Sequence, residues 1–122
     1  MKEAVINREK VSATKKIIVL QMMGPWSECL FEIENDLKIT GEIFFVLIKE
    51  KTRWVVYAVS KDPTTFELRQ ALKKEWRGVL NVDELKKLSG IPDILFTHAR
   101  GFIGAATSFE SVLKMAEISL SS

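Results

Sequence analysis

The sequence predicts a single α+β domain in which a small mixed β-sheet packs against helices. Short runs of β-branched and aromatic residues alternate along the chain with apolar residues at helical spacing, and turn or cap residues separate them. A chain of 122 residues has the size of one domain and needs neither a metal nor a disulfide to bury a core. Its formal net charge of +2 is too small to indicate nucleic-acid or membrane binding by itself.

The first elements follow a polar start. Residues 1–16 carry mixed charges and are expected to form a loosely ordered leader. The alternative is an arm that binds phosphate weakly. Residues 17–122 would then form the domain. Residues 17–21 read as a short strand that runs into a turn at Gly24-Pro25. A helix should follow, because apolar residues recur at helical spacing while Glu28, Glu32 and Glu34 occupy other faces. Its apolar residues are Trp26, Leu30, Ile33 and Leu37.

The middle of the chain predicts a β-hairpin. Residues 43–48 and 54–59 are apolar runs without polar alternation, which is typical of strands buried on both faces. Asp62-Pro63 marks a turn, and residues 66–76 fit either a helix or an ordered loop.

The C-terminal elements have clearer boundaries. Residues 81–84 resemble a helix start with a reciprocal cap, and residues 89–92 end that helix. Residues 93–97 read as another strand. Residues 107–110 form a second capping box, which opens a final helix with one apolar stripe.

Cysteine usage and hydropathy indicate an intracellular protein. Cys29 is the only cysteine, which excludes an intrachain disulfide, and its apolar neighbours predict that it is buried. No apolar run approaches membrane-spanning length, and the charged start does not resemble a secretory signal. We therefore expect a cytoplasmic location and no membrane contact.

Residues 89–104 contain the main candidate site. His98, the only histidine, ends an apolar run and is followed by a loop with Gly101 and Gly104. Glycines let backbone N–H groups approach an anion, and the imidazole can donate to a phosphate. Two alternatives stay open: His98 can be a structural histidine at a strand end, and the glycines can simply form a tight turn.

Trp76-Arg77-Gly78 offers a second candidate. An indole ring and a guanidinium can hold a base and a phosphate together. The alternative is that Trp76 packs in the core with Arg77 facing solvent. Trp26 and Trp54 lie within periodic apolar runs and are expected in the core.

Several segments resemble the Myg (melanocyte proliferating gene) family. The similarity follows the same order from about residue 19 to residue 117 and includes Gly-Pro-Trp at the start and Phe-Thr-His-Ala-Arg-Gly-Phe-Ile-Gly near the end. The matching segments are residues 24–34, 54–59, 76–78, 83–85, 89–91, 96–104 and 114–116.

The resemblance implies a substrate-holding role. Myg proteins are metal-dependent 3′–5′ exonucleases related to the DHH phosphoesterases, and the similar part corresponds to their C-terminal domain. In DHH proteins this domain closes over the metal domain and holds the substrate. By resemblance, that role would belong to His98, Arg100, Gly101 and Gly104. Mn²⁺ or Mg²⁺ is expected only if a separate metal-binding domain supplies it.

The loop departs from the family pattern at two positions. Arg100 stands where the family has serine, which adds a bidentate phosphate donor. Ala105 stands where the family has glycine, which removes conformational freedom from the loop.

The sequence therefore leads to the hypothesis of a domain that binds an RNA end or a nucleotide, without a cofactor and without catalysis of its own. The ligand-binding residues would be His98, Arg100, Gly101, Gly104, Trp76 and Arg77. One alternative is a structural or homo-oligomerisation module that has lost the ligand. A domain built to close on a partner should expose an apolar patch near Phe102 and Ile103, through which it could also self-associate. Another is one subunit of a split metal-dependent exonuclease, with the catalytic half on a separate chain. An autonomous enzyme that uses His98 as acid or base ranks last, because no partner carboxylate is visible.

Overall fold

Five short strands form one mixed sheet in the part of the chain that the computed structural model describes, residues 2–20, 26–61, 64–65 and 67–121. The elements in chain order are α1 (Lys2–Ile6), α2 (Arg8–Val11), β1 (Ile17–Leu20), α3 (Trp26–Asp36), β2 (Phe45–Lys49), β3 (Trp54–Ala58), a 3-10 turn (Lys74–Trp76), α4 (Val82–Ser89), β4 (Ile94–Thr97), β5 (Ile103–Ala106) and α5 (Phe109–Leu120). The predicted α+β class with a mixed sheet is confirmed.

The strand order in the sheet is β1-β2-β3-β5-β4. β1 and β2 run parallel, with α3 in the connection between them, whereas the other neighbours are antiparallel. In the central hairpin Leu47 of β2 lies opposite Val56 of β3. Strand β5 lies between β3 and β4, so that Gly104 pairs with Val56 on one side and with Thr97 on the other. The sheet thus places the β4–β5 turn next to the C-terminal end of β3.

Helices cover both faces of the sheet. Phe45 and Leu47 belong to one apolar cluster together with residues of α4 and α5. Val46 and Ile48 belong to the other, together with residues of α1 and α3. Consecutive residues of β2 are therefore buried, which confirms the prediction made from their lack of polar alternation.

Helices α4 and α5 have N-terminal cap residues, and α4 also has a glycine stop, of the types that the sequence predicts. The Asn81 side chain accepts a hydrogen bond from the Glu84 amide, and Gly90 takes the left-handed conformation that ends α4. At α5 the cap is Ser108, whose hydroxyl accepts from the Ser111 amide, one residue later than predicted.

The strand β5 was not predicted, because Gly104, Ala105 and Ala106 have little β-propensity. Small residues are needed there because α5 lies close: a Cβ on Gly104 would be 2.7 Å from Met115 Cε and 3.0 Å from Leu72 Cδ1. Close helix-to-sheet packing selects these residues over β-branched ones.

The N-terminal residues also differ from the expectation of a loose leader. α1 and α2 contact β1, and Val5 is fully buried in the α3 side of the core. The domain boundary at residue 16 stays a prediction.

Two side chains of α3 have the opposite exposure to that expected. Glu34 is fully buried, where it pairs with Arg69. Cys29 is exposed. The predicted turns at Gly24-Pro25 and Asp62-Pro63 lie outside the described residues. Of the segment predicted as a helix or an ordered loop, residues 67–73 form no helix.

None of the described helices is both long enough and apolar enough to span a bilayer.

Candidate functional site

An open cleft of about 900 Å³ lies where β3 ends and the β4–β5 turn begins. One wall contains His98, Arg100 and Phe102 from this turn. The rest of the lining comes from the start of α3, from the end of β3 and from the residues that follow β3. These lining residues are Trp26, Ser27, Tyr57, Ala58, Ser60, Lys61, Thr65, Glu67, Leu68 and Ala71.

His98 is fixed at the cleft by three contacts. Its backbone N–H donates to the Ile103 carbonyl at 2.9 Å, and its Nδ1 accepts from the Arg100 amide at 3.1 Å. Its ring lies 4.5 Å from the Phe102 ring, centroid to centroid. Since Nδ1 of a neutral imidazole that accepts a hydrogen bond carries no proton, the proton is on Nε2. The exposed His98 ring therefore keeps an N–H donor available for a ligand.

Gly101 is required by the turn. Its amide donates to the His98 carbonyl at 2.8 Å, and its φ of +72° lies in the left-handed region. The residue is buried, and a Cβ would be 2.9 Å from Arg77 Nε. A side chain at this position would therefore displace the turn that presents His98 and Arg100.

Arg77 lies behind the turn. Its Nε donates to the Leu72 carbonyl at 2.8 Å, while the Leu72 amide donates to the Gly101 carbonyl at 2.9 Å. The half-buried guanidinium borders a separate, smaller depression of about 380 Å³ with Lys73 and Lys74. Arg77 thus supports the turn and does not line the cleft.

Trp76 and Gly104 are core residues. Trp76 is only 1% exposed, and its indole N–H has no hydrogen-bond partner among the described residues. A ring buried in this way cannot stack on a ligand, so we leave Trp76 out of the candidate site. Gly104 lies within β5, where it provides room for α5 and does not extend the turn.

Arg100 and Lys61 supply positive charge at the cleft. Arg100 is exposed, and none of the ion pairs found among the described residues involves it. Lys61 Nζ lies 3.4 Å from the exposed Glu67 carboxylate, and the Lys61 amide donates to the Glu67 carbonyl at 2.7 Å. An exposed pair of this kind exchanges readily with solvent or ligand.

A buried ion pair fixes the wall next to the cleft. Arg69 lies between Leu68 and Ala71 of the lining, and its Nη1 and Nη2 contact the two Glu34 carboxylate oxygens at 2.6 and 2.7 Å. Side-chain exposure is 5% for Arg69 and 0% for Glu34. Because Glu34 belongs to α3, this Arg69–Glu34 pair ties the loop after β3 to the helix that begins with Trp26 and Ser27.

The Arg69–Glu34 pair also reaches the backbone. Glu34 Oε2 accepts from the Ile43 amide at 3.0 Å, and Arg69 Nη1 donates to the Ile43 carbonyl at 2.7 Å. The guanidinium carbon lies 5.1 Å from the centre of the Phe31 ring. Sequence reasoning missed this pair, because α3 periodicity assigns Glu34 to a polar face and no local signal pairs residues 35 positions apart.

Asp93 is another carboxylate with a defined environment, at the end of β4 away from His98. Burial alone would raise the pKa of Asp93, but hydrogen bonds from Ser111, Thr107 and Ser108 lower it to about 2. The Thr107 hydroxyl donates at 2.8 Å, and the Ser111 hydroxyl donates to the other oxygen. Asp93 therefore stabilises the start of α5.

The described ranges of the chain contain no cluster of three or more His, Cys, Asp or Glu side chains placed like metal ligands. His98 and Glu67 lie at the cleft, whereas Glu34 and Asp93 are engaged in the contacts above. The residues present do not fit a divalent metal centre, and we derive no step through a metal in this part of the protein.

Besides Phe102 of the turn, two further aromatic residues of the cleft, Trp26 and Tyr57, were not among the predicted ligand-binding residues. Trp26 is half-buried at the start of α3, and its ring lies 5.7 Å from that of Tyr57, centroid to centroid. Their sequence patterns indicated core positions. The fact that both residues also border an opening follows only from the way α3 lies across the sheet.

Comparison with known proteins matches the sequence of this chain to one family. The family model named MYG1_exonuc, described as "Uncharacterised protein family (UPF0160)", matches residues 1–120. The MYG1 protein of Saccharomyces cerevisiae is 40% identical over 119 residues, which cover 97% of this chain and 35% of that protein. The protein named MYG1 exonuclease is 38% identical in Rattus norvegicus and 36% identical in Homo sapiens, with 98% of this chain and 32% of each relative covered.

The chain thus spans about one third of the length of these relatives. No solved structure shows significant similarity to it. The predicted resemblance to the Myg family is confirmed, and the relation to DHH phosphoesterases stays a prediction.

Proposed function

This chain belongs to the MYG1 family, and from that membership we propose that its cleft binds a phosphate-bearing ligand, an RNA end or a nucleotide. The observation that carries the proposal is the position of His98 and Arg100 on one wall of the cleft. Hydrogen bonds within the turn fix both backbones, so that little backbone entropy is lost when a ligand binds.

The chemistry of the wall suits a phosphate. A guanidinium donates two parallel hydrogen bonds to phosphate oxygens, and the His98 Nε2–H adds a third donor. Lys61 at the same cleft contributes further positive charge. The family resemblance has serine at the position of Arg100, and the guanidinium adds positive charge where an anion would lie.

We place this binding role within a larger nuclease. Relatives from several animals bear the name MYG1 exonuclease, and this chain covers about one third of each. Cleavage of a phosphodiester with metal help requires ligands that converge on the ions. In our proposal Mn²⁺ or Mg²⁺ is held by residues other than those described here, whether on the same polypeptide or on a separate chain.

Isothermal titration with AMP tests the proposal. The wild-type chain should bind AMP, and Arg100→Ala should weaken binding about 10-fold to 100-fold, as expected for loss of charge-assisted hydrogen bonds. Lys87→Ala is the matched control, because Lys87 is an exposed cation of α4 outside the cleft. Equal effects of the two substitutions would show that any affinity is non-specific.

A second variant separates the turn from the ligand. His98→Asn places an amide oxygen near the position of Nδ1, where it can accept from the Arg100 amide as in an Asx turn. The Nε2 donor is lost. We expect an unchanged melting temperature with weaker AMP binding. Unchanged AMP affinity in this variant would remove His98 from the site.

One observation favours a second function. Phe102 is 38% exposed beside the half-buried Ile103, as expected for a contact surface on a structural or oligomerisation module. Light scattering of the wild-type chain and of Phe102→Ser distinguishes the two functions. A dimer that dissociates on substitution, in a chain that binds no AMP, would favour the module.

A further inference from the structure

The cleft is larger than a phosphate group requires, and aromatic side chains form part of the lining that the cations leave. A volume of about 900 Å³ lies in the range of pockets that enclose whole small molecules. Two ring pairs border it: Trp26 with Tyr57, and His98 with Phe102. The size and the rings together indicate a ligand with a planar portion in addition to its anion.

The two ring pairs lie side by side on the sheet. Tyr57 of β3 is in register with Ile103 of β5, and the Ala58 amide donates to the Phe102 carbonyl at 2.8 Å. Tyr57 therefore lies on the strand next to β5, which follows the turn that carries His98, and both residues line the cleft. A ligand that contacts His98 can extend over the sheet toward Tyr57.

The Trp26–Tyr57 pair is held in place by the core. Both residues pack against the buried cluster on the α3 side of the sheet, while their half-buried rings border the cleft. Burial is the main cause that raises the pKa of the Tyr57 hydroxyl. Tyr57 is therefore a neutral ring at physiological pH, and neutral rings held in this way lose little entropy when a flat ligand stacks on them.

We infer that Trp26 and Tyr57 form a stacking site for a nucleobase, so that the ligand is a nucleoside phosphate whose phosphate group lies toward His98 and Arg100. The inference rests on the proposed function and adds the residues that would hold the base of the ligand. Stacking on an aromatic side chain tolerates any base, because every base has a π-face. The site should therefore discriminate little between purines and pyrimidines and strongly between nucleotides and sugar phosphates.

The first experiment compares ligands on the wild-type chain by calorimetry. AMP should bind about 5-fold to 150-fold more tightly than ribose 5-phosphate, which carries the same phosphate without a base; this range corresponds to ~1–3 kcal/mol per stacked base. Equal affinities of AMP and ribose 5-phosphate would overturn the inference and leave the proposed function standing. Binding of adenosine without binding of ribose 5-phosphate would support the stacking site and contradict the phosphate site.

The second experiment removes the rings. Tyr57→Leu and Trp26→Leu should each weaken AMP binding by a factor in the same range while ribose 5-phosphate binding stays unchanged. The matched control is Phe109→Leu, since Phe109 pairs with Trp54 on the opposite face of the sheet and does not line the cleft. Circular dichroism checks that each variant is folded. If a variant is unfolded, the comparison of AMP with ribose 5-phosphate on the wild-type chain decides whether the base is bound.

A third measurement locates the base and identifies its source. AMP should quench tryptophan fluorescence, and Trp26→Phe should abolish the quenching, because Trp76 is buried and Trp54 lies across the sheet. Quenching that persists in Trp26→Phe would contradict stacking on this residue. A short oligoadenylate that binds more tightly than AMP identifies a strand end as the ligand, whereas weaker binding identifies the free nucleotide.

Discussion

Replacement of Arg69 by methionine leaves a buried carboxylate without its partner. Methionine keeps an unbranched apolar stem but donates no hydrogen bond. In the folded protein Glu34 has 0% side-chain exposure, and its remaining hydrogen bond comes from the Ile43 amide at 3.0 Å. The Ile43 carbonyl also loses the Arg69 donor at 2.7 Å.

The expected loss of unfolding free energy is about 3–5 kcal/mol, the range measured when one partner of a buried ion pair is removed. The geometry of the pair supports this range, because two charge-assisted contacts of 2.6 and 2.7 Å join Arg69 to Glu34. A domain of this size has roughly 5–15 kcal/mol of total stability. The variant would therefore be marginally folded at best.

Equilibrium urea unfolding of wild type and variant measures this loss. The matched control is Arg53→Met, because Arg53 pairs with Glu50 at 2.7 Å while both side chains keep partial exposure, 36% and 28%. Removal of that partly exposed pair should change stability by about 1 kcal/mol or less. A loss below 1 kcal/mol for Arg69→Met, or equal losses in both variants, would show that the buried Arg69–Glu34 pair does not stabilise the fold.

The double variant Arg69→Met/Glu34→Leu sharpens the test. Removal of both charges should recover part of the loss, since apolar replacement of a buried pair is often neutral. Recovery should be incomplete, because the Ile43 N–H and carbonyl would each lack their side-chain partner at a cost of about 1–3 kcal/mol per group. A double variant no more stable than Arg69→Met would contradict direct pairing.

Three further predictions concern the turn, the start of α5 and the core. Gly101→Ala should lower the unfolding free energy by about 2 kcal/mol and weaken AMP binding, because the left-handed φ and Arg77 exclude a Cβ; wild-type affinity in this variant would contradict the turn. The pKa of Asp93 is about 2 when folded against an ordinary 3.8, so stability present above pH 3.8 is lost as pH falls toward 2. Partial solvent exposure limits this contribution to about 1–2 kcal/mol, and unfolding of Asp93→Asn between pH 5 and 2 should lack that slope. Thr97→Val should raise the unfolding free energy by up to about 1 kcal/mol, because the Thr97 hydroxyl is buried with no partner among the described residues; a loss above 1 kcal/mol would reveal a missing hydrogen bond.

Local signals predicted the elements that depend on local physics. The cap at Asn81 and the stop at Gly90 involve hydrogen bonds and backbone angles within one helix, and both are present in the structure. The hairpin was predicted because β2 and β3 show no polar alternation. These features do not depend on how distant parts of the chain meet.

Features that depend on distant packing were missed. A glycine stands at position 104 of β5 because α5 packs close to the sheet there. Glu34 is buried because Arg69, in the loop after β3, pairs with it. Neither fact has a counterpart in local periodicity. The same limit applies to the site, where the sequence indicated His98 and Arg100 but not that Trp26 borders the same opening.

The Trp76-Arg77 motif shows how a pattern of adjacent residues can mislead. In the sequence the pair suggests a stacking ring beside a cation, yet the chain turns between them. Trp76 enters the core while Arg77 supports Gly101 from behind. Arg77 therefore acts on the candidate site through the turn and not through a ligand.

Chemical-shift mapping by ¹⁵N NMR during titration with AMP tests the central claim most directly. Binding in the cleft should give saturable shifts of the amides of residues 98–102 and of residues 57–61, with little change at the Asp93 end of α5. Shifts confined to other surfaces, or no shifts at millimolar AMP, would contradict a ligand site in this cleft.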